Sequence, residues 1–147
     1  MNNYHNCLKI LLVDDNEDDV MMAQKAFAQL NFPCKLETAQ GAQAALDYLQ
    51  CRGGYADRKP VLPDLLLLDI NMPQMDGFAL LKILKADKLL KKIPIIMLTS
   101  SSAREDVARS YEYGAASFLT KPESFEGFKN LLGGFGSYWL TVSALPQ

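Results

Sequence analysis

The sequence is poor in the residues from which most catalytic and metal centres are built. Of 147 residues, one is histidine and three are cysteine. His5 lies in the polar stretch Met1 to Cys7, where a terminal side chain is a surface group and not a catalyst or ligand. Cys7, Cys34 and Cys51 are odd in number, show no CxxC spacing and have no histidine companion, which argues against a disulfide framework and a zinc site. A reducing cytosol suits them. Long apolar runs are also missing: no stretch approaches the roughly 18 apolar residues of a membrane span, and the N-terminus lacks the apolar core of a secretory signal. A soluble, cytoplasmic protein is expected. The net charge is only −2, so nothing attracts the chain as a whole to phosphate backbones or anionic lipid, and neither a nucleic acid nor a membrane is expected as partner. Repeats, low-complexity tracts and signs of a second domain are absent.

What is present is aliphatic, at 49% hydrophobic residues, enough for one well-formed core. The central stretch, Asp64 to Gly77, sets four consecutive leucines (Leu65 to Leu68) before Asp69 and then turns through Met72-Pro73 to Asp76-Gly77. Such a run suits a strand buried on both faces, as in a parallel sheet covered by helices. Further strands are expected at Leu8 to Val13, Cys34 to Thr38 (a short one), Ile93 to Leu98 and Ala115 to Leu119, alternating with helical spacing. The helices are expected from Glu17 to Leu30, Gly41 to Cys51, Phe78 onward, Ala103 to Tyr113 and Ser124 onward, with Ser102 and Glu105 as a capping box. This alternation predicts an α/β domain with a five-stranded parallel sheet and right-handed crossovers.

Ligands on such sheets bind beyond the carboxyl ends of the strands. Those ends carry Asp14 and Asp15, Asp69, Thr99, and Lys121 with Pro122. Three neighbouring carboxylates repel unless a cation joins them, and Mg²⁺ takes oxygen ligands from one or two carboxylates together with phosphate oxygens. Three acids, one lysine and one Mg²⁺ sum to zero, which leaves a site ready for a phosphoryl group. A carboxylate beside a metal, a hydroxyl and a lysine has the parts for nucleophilic attack on phosphorus, giving an acyl phosphate.

On these four separated motifs the sequence resembles a receiver domain of the two-component response-regulator family, over roughly residues 7 to 132 of a single domain spanning 1–147, with 133–147 as a C-terminal extension. The resemblance implies a flavodoxin-like three-layer sandwich with strand order 2-1-3-4-5. It implies phosphorylation of Asp69 by a histidine kinase, with Mg²⁺ held by Asp14 or Asp15, Asp69 and the backbone carbonyl of Asn71. Lys121 and Thr99 would assist, Thr99 and Phe118 would form the switch, and Pro122 would follow a cis peptide bond. For Phe118 an ordinary edge position on the fifth strand is an equal alternative. The protein would be no enzyme beyond catalysing its own phosphorylation and dephosphorylation. It would act as a stand-alone receiver that signals through a changed protein-binding surface.

Three stretches lie outside those motifs. The segment from Arg52 to Pro63 shows no core-facing pattern and reads as a tolerated insertion, or else a contact loop. Lys82, Lys85, Lys88, Lys91 and Lys92 read as a solvated helix face, with a docking patch as the alternative. Gly133, Gly134 and Gly136 should break or loosen the last helix near Leu132, leaving Tyr138, Trp139 and Leu140 to fold back or to pair two chains as a homodimer through the last helix and the strand-five face. The loop and the aromatic ending also resemble small receivers that partner phytochrome-type kinases. A haloacid dehalogenase-type phosphatase, the rival enzyme, wants an acid where this chain has Asn71. A phosphorylation-independent binding module of the same fold is the other rival.

Overall fold

The computed structural model describes residues 7–30, 34–100 and 104–141, with side chains in the last helix described through Gly134. Five strands, β1 (Leu8–Val13), β2 (Cys34–Ala39), β3 (Leu65–Asp69), β4 (Ile95–Thr99) and β5 (Ser117–Thr120), form one parallel sheet in the order 2-1-3-4-5, as expected. Among the described residues five α-helices cover it: α1 (Glu17–Ala28), α2 (Ala42–Leu49), α3 (Gly77–Ala86), α4 (Arg104–Glu112) and α5 (Phe125–Thr141).

The leucines of β3 explain the layering. Leu65 and Leu67 point into a core shared with Val20, Ala23 and Phe27 of α1 and Phe128 and Leu132 of α5. Leu66 and Leu68 point the other way, toward Leu46 and Leu49 of α2 and Phe78, Leu81 and Leu84 of α3. Alternate residues of a strand face opposite sides, so an unbroken aliphatic run is what a sheet covered on both faces requires.

Local chemistry sets the helix starts. The Asn16 side chain accepts from the Asp19 amide and Asp76 accepts from Ala79, each satisfying an orphan donor of a first turn. Gly114 follows α4 at φ +101°, a left-handed position that favours glycine. Ser102, half of the expected capping box, lies outside the described residues.

Two segments depart from expectation. The last helix does not break at its glycines but runs unbroken to Thr141. Phe128 and Leu132, one turn apart and fully buried, fix it to the sheet. Packing of this kind outweighs a propensity penalty of about 1 kcal/mol per glycine. The segment before β3 is also not patternless: a 3₁₀ turn at Gly53–Tyr55 sets Tyr55 edge-on to Tyr48 at 5.3 Å, Arg58 stacks on Tyr48 at 3.7 Å, and Leu62 joins the core. The lysines near α3 behave as a surface, except that Lys85 is half-buried and donates to the carbonyls of Lys91 and Ile93.

Candidate functional site

Register places the chemistry. β1 and β3 pair from Ile10–Leu65 to Val13–Leu68, and β3 and β4 from Leu66–Ile95 to Asp69–Leu98, so Asp14, Asp69 and Thr99 emerge together at one rim. Asp14 is 1% exposed, Asp69 4% and Thr99 0%, an unusual set of polar groups for a core edge. One oxygen each of Asp14, Asp15 and Asp69 can be chosen so that all three lie within 4.8 Å of one another.

The approach of α3 supports this rim. The Gly77 amide donates to the Ile70 carbonyl at 2.8 Å, and a Cβ at Gly77 would overlap the backbone carbonyl of Asp69 and stand 2.8 Å from Ile70 Cα. Only glycine allows α3 to start this close to the strand end that carries Asp69. The turn before it holds Gln74 at φ +68°, a left-handed conformation in a residue with a side chain.

Lys121 closes the cluster. Its Nζ donates to Asp14 at 2.9 Å and Asp19 at 3.0 Å and stands 3.4 Å from Asp69. The backbone N–H of Lys121 donates to the Thr99 carbonyl at 2.7 Å, so β4 positions the lysine as well as the hydroxyl. Asn71 Nδ2 donates to Thr99 Oγ1 at 3.4 Å. Asp19 is the participant that sequence reading missed, because an acid there already suits the helix dipole. Its position at the third residue of α1, fixed by the Asn16 cap, was the available signal. Counting it leaves the cluster one charge more negative than the balance drawn from three acids and a lysine.

These surroundings shift the protons. Burial, reinforced by the charge of Asp14, pushes the Asp69 carboxyl up to about 6, although Lys121 and the Asn71 amide pull the other way. Burial alone would lower the Lys121 ammonium, but hydrogen bonds to Asp14 and Asp19 and the charges of Asp14 and Asp69 more than offset it, so its pKa is raised. The cluster opens into a cleft of about 780 Å³ lined also by Glu17, Asp18, Ser100 and Glu123. Such a site suits a hard divalent cation: three oxygen donors converge, two of them on buried carboxylates.

The other expected residues fall at or near this rim. Phe118, on β5, is half-buried and packs against the α2/α3 side of the core. Asp15 is the most open of the three grouped acids. The expected cis bond before Pro122 is not found: no cis peptide occurs among the described residues. Trans is the lower-energy X–Pro isomer by about 0.5–1 kcal/mol, and the lysine reaches all three of its acids with the bond trans. Among the described residues no helix is long and apolar enough to cross a membrane.

Comparisons with known proteins agree with this geometry. Residues 10–132 match the model of the response regulator receiver domain. The chain is 37% identical over 137 residues to the probable methanogenesis regulatory protein FilR2 of Methanothrix harundinacea, covering 93% of this chain and 86% of that protein. It is 34% identical over 137 residues to the response regulator Rcp1 of Synechocystis sp., covering 93% and 92%. Among solved structures, the phosphorylated cyanobacterial phytochrome response regulator RcpA superposes with a TM-score of 0.84 at 34% identity, covering 95% of this chain and 99% of that one. The Mn²⁺-bound form of Rcp1 gives 0.82 at 33% identity, with the same coverage. Sheet order, strand-end acids and sequence similarity converge, and the chain belongs to the response regulator receiver domain family.

Proposed function

We propose that Asp69 is the phosphoacceptor of a two-component phosphorelay and that the protein signals through the surface that phosphorylation alters. The observation that carries this reading is the buried carboxylate of Asp69, facing an open cleft, with Lys121 at 3.4 Å and the oxygens of Asp14 and Asp15 within 4.8 Å. An ionised Asp69 oxygen attacks phosphorus as the bond to the donor nitrogen of a phosphohistidine breaks, and the electron pair leaves on the imidazole. No base is needed for that step once Asp69 is ionised.

Asp14, Asp15, Asp69 and the Asn71 carbonyl would hold Mg²⁺, which when bound supplies positive charge for the carboxylates and the phosphoryl oxygens. Lys121 is already charged and preorganised by Asp14 and Asp19 to meet a second phosphoryl oxygen. The buried Thr99 offers its hydroxyl from β4, and Phe118, packed on the neighbouring strand, moves with it as the second half of the switch. Beyond this self-phosphorylation and dephosphorylation no reaction on an external substrate is assigned.

The partner is a histidine kinase of the phytochrome type, a reading supported by the similarity to RcpA. A homodimer through α5 and the face of β5 rests on the sequence of the ending, where the Trp139 side chain lies outside the described residues. Sedimentation of the full chain and of a chain lacking residues 137 to 147 tests it, with dimer and monomer masses expected respectively. The phosphoacceptor is tested by incubation with acetyl phosphate. Stable labelling that needs Mg²⁺ and is lost in Asp69→Asn is expected. Turnover of external phosphoesters would instead favour a phosphatase, and no labelling at all would leave a binding module.

A further inference from the structure

The opposite rim of the sheet carries a second site with inverted charge. A pocket of about 360 Å³ lies where β1 and β2 begin, closed by the segment before β3, and Lys9, Lys35, Arg58 and Lys59 line it against one carboxylate, Glu37. Lys9 and Lys35 are direct cross-strand partners in the parallel register, an arrangement that is destabilising for like charges. Among the described residues none of these four cations has a carboxylate within ion-pair distance. The nearby Asp64 side chain is engaged with the backbone amide of Lys9.

Arg58 is held in place without being neutralised. Its guanidinium lies 3.7 Å over the Tyr48 ring and donates to the carbonyls of Lys59 at 2.9 Å and Val61 at 2.6 Å and to Cys51 Sγ at 3.3 Å. Those contacts fix the loop and present a cation beside the ring. The remaining walls, from Ile10, Val61, Pro63 and Tyr48, are largely apolar. A preformed concave site of a few hundred Å³ with apolar walls and a few converging charges is the usual form of a small-molecule site.

We infer that this pocket binds a small organic anion, one with a carboxylate or phosphate group on an apolar body, and that the 52–63 segment exists in part to build it. The charged group relieves the Lys9–Lys35 repulsion and meets Lys59, while the apolar body lies along Tyr48 and Pro63. The site is distinct from the Asp69 cleft, since the two lie at opposite ends of the strands, on the order of 15–20 Å apart for strands of this length.

The test is an amide-resolved NMR titration of the full chain at low ionic strength in EDTA. The main probe is phenylphosphonate, whose carbon–phosphorus bond transfers no phosphoryl group. Benzoate, inorganic phosphate and benzyl alcohol separate the two charged groups from each other and from the ring. Saturable shifts at the amides of Lys9, Lys35, Arg58, Lys59 and Val61 are expected with phenylphosphonate and with benzoate, the larger affinity naming the preferred group. Phosphate should bind more weakly and benzyl alcohol should leave these amides unmoved. Removing two cations in Lys35→Gln/Lys59→Gln should weaken binding by roughly tenfold or more, as loss of charge-assisted contacts does. Lys88→Gln, on an exposed lysine that does not line the pocket, should leave it unchanged. Shifts confined to residues around Lys121, no saturable shift at the pocket, or equal affinity in the double variant would overturn the site. Phosphate binding as tightly as phenylphosphonate would overturn the apolar body.

Discussion

The two rims of one sheet hold charge in opposite ways. At the carboxyl ends of the strands, one cation, Lys121, serves three acids, Asp14, Asp19 and Asp69, and burial together with the charge of Asp14 holds the Asp69 carboxyl above its ordinary range. At the amino ends, Arg58 is held by a ring and by carbonyls, beside two cross-strand lysines and no pairing acid among the described residues. An acid-rich rim takes a cation and then a phosphoryl group; a base-rich rim takes an anion directly. The contrast teaches that burial by itself does not name a ligand, whereas the sign of the uncompensated charge does.

The largest effect should come from breaking the backbone that supports the acidic rim. Gly77→Ala places a methyl group against the Asp69 carbonyl, and a destabilisation of about 1–3 kcal/mol or more is expected in urea unfolding, with weaker phosphorylation of the folded fraction. In the segment that closes the basic pocket, Gly54 has open space around it, so Gly54→Ala should be nearly silent in the same measurement.

The acid shift predicts a pH-dependent effect of similar size. The unfolded chain releases the Asp69 proton near 3.8 and the folded protein near 6, so between these values the folded state binds more protons and stability falls as pH rises. The penalty is absent below about pH 4 and complete above about pH 6, worth up to about 3 kcal/mol. Metal-free Asp69→Asn should therefore be more stable than wild type at pH 7.5 and equal to it near pH 4. Thermal unfolding in EDTA across this range checks both ends, and a stability gain independent of pH would place its origin elsewhere.

A smaller effect sharpens the other side of the contrast. Lys35→Glu turns a like-charge cross-strand pair into an opposite pair, and a gain of about 0.2–1 kcal/mol is expected, largest at low ionic strength. A gain that survives in high salt would mean that the lysine pair is not repulsive. The smallest change belongs to the turn between β3 and α3. Gln74→Gly removes left-handed strain of about 1–2 kcal/mol, mostly offset by the added freedom of the unfolded chain, so a net gain of a few tenths of a kcal/mol is expected.

The sheet and its acidic rim were legible because β1, β3 and β4 are aliphatic runs that lead to Asp14, Asp69 and Thr99, and a parallel register carries those ends to one place. Asp19 was not legible, since an acid in a first helical turn has an ordinary use there and only the distance to Lys121 gives it another. The glycines of α5 misled because propensity is local, while Phe128 and Leu132 are anchored by residues of distant sequence. The basic pocket escaped for the same reason: Lys9, Lys35 and Arg58 are scattered along the chain and meet only through the β1–β2 pairing and the stacking of Arg58 on Tyr48. The cis bond expected before Pro122 came from the family resemblance alone and is encoded by nothing in the residues themselves; no cis peptide occurs among the described residues.

The most direct test of the central claim is to locate the acyl phosphate chemically. After treatment with acetyl phosphate and Mg²⁺, borohydride reduction converts a phosphorylated aspartate to homoserine, and mass spectrometry of the peptides reads its position. Conversion at residue 69 alone, abolished by Asp69→Asn, is the predicted result; conversion at Asp14, Asp15 or any other acid, or labelling that persists in Asp69→Asn, would contradict it.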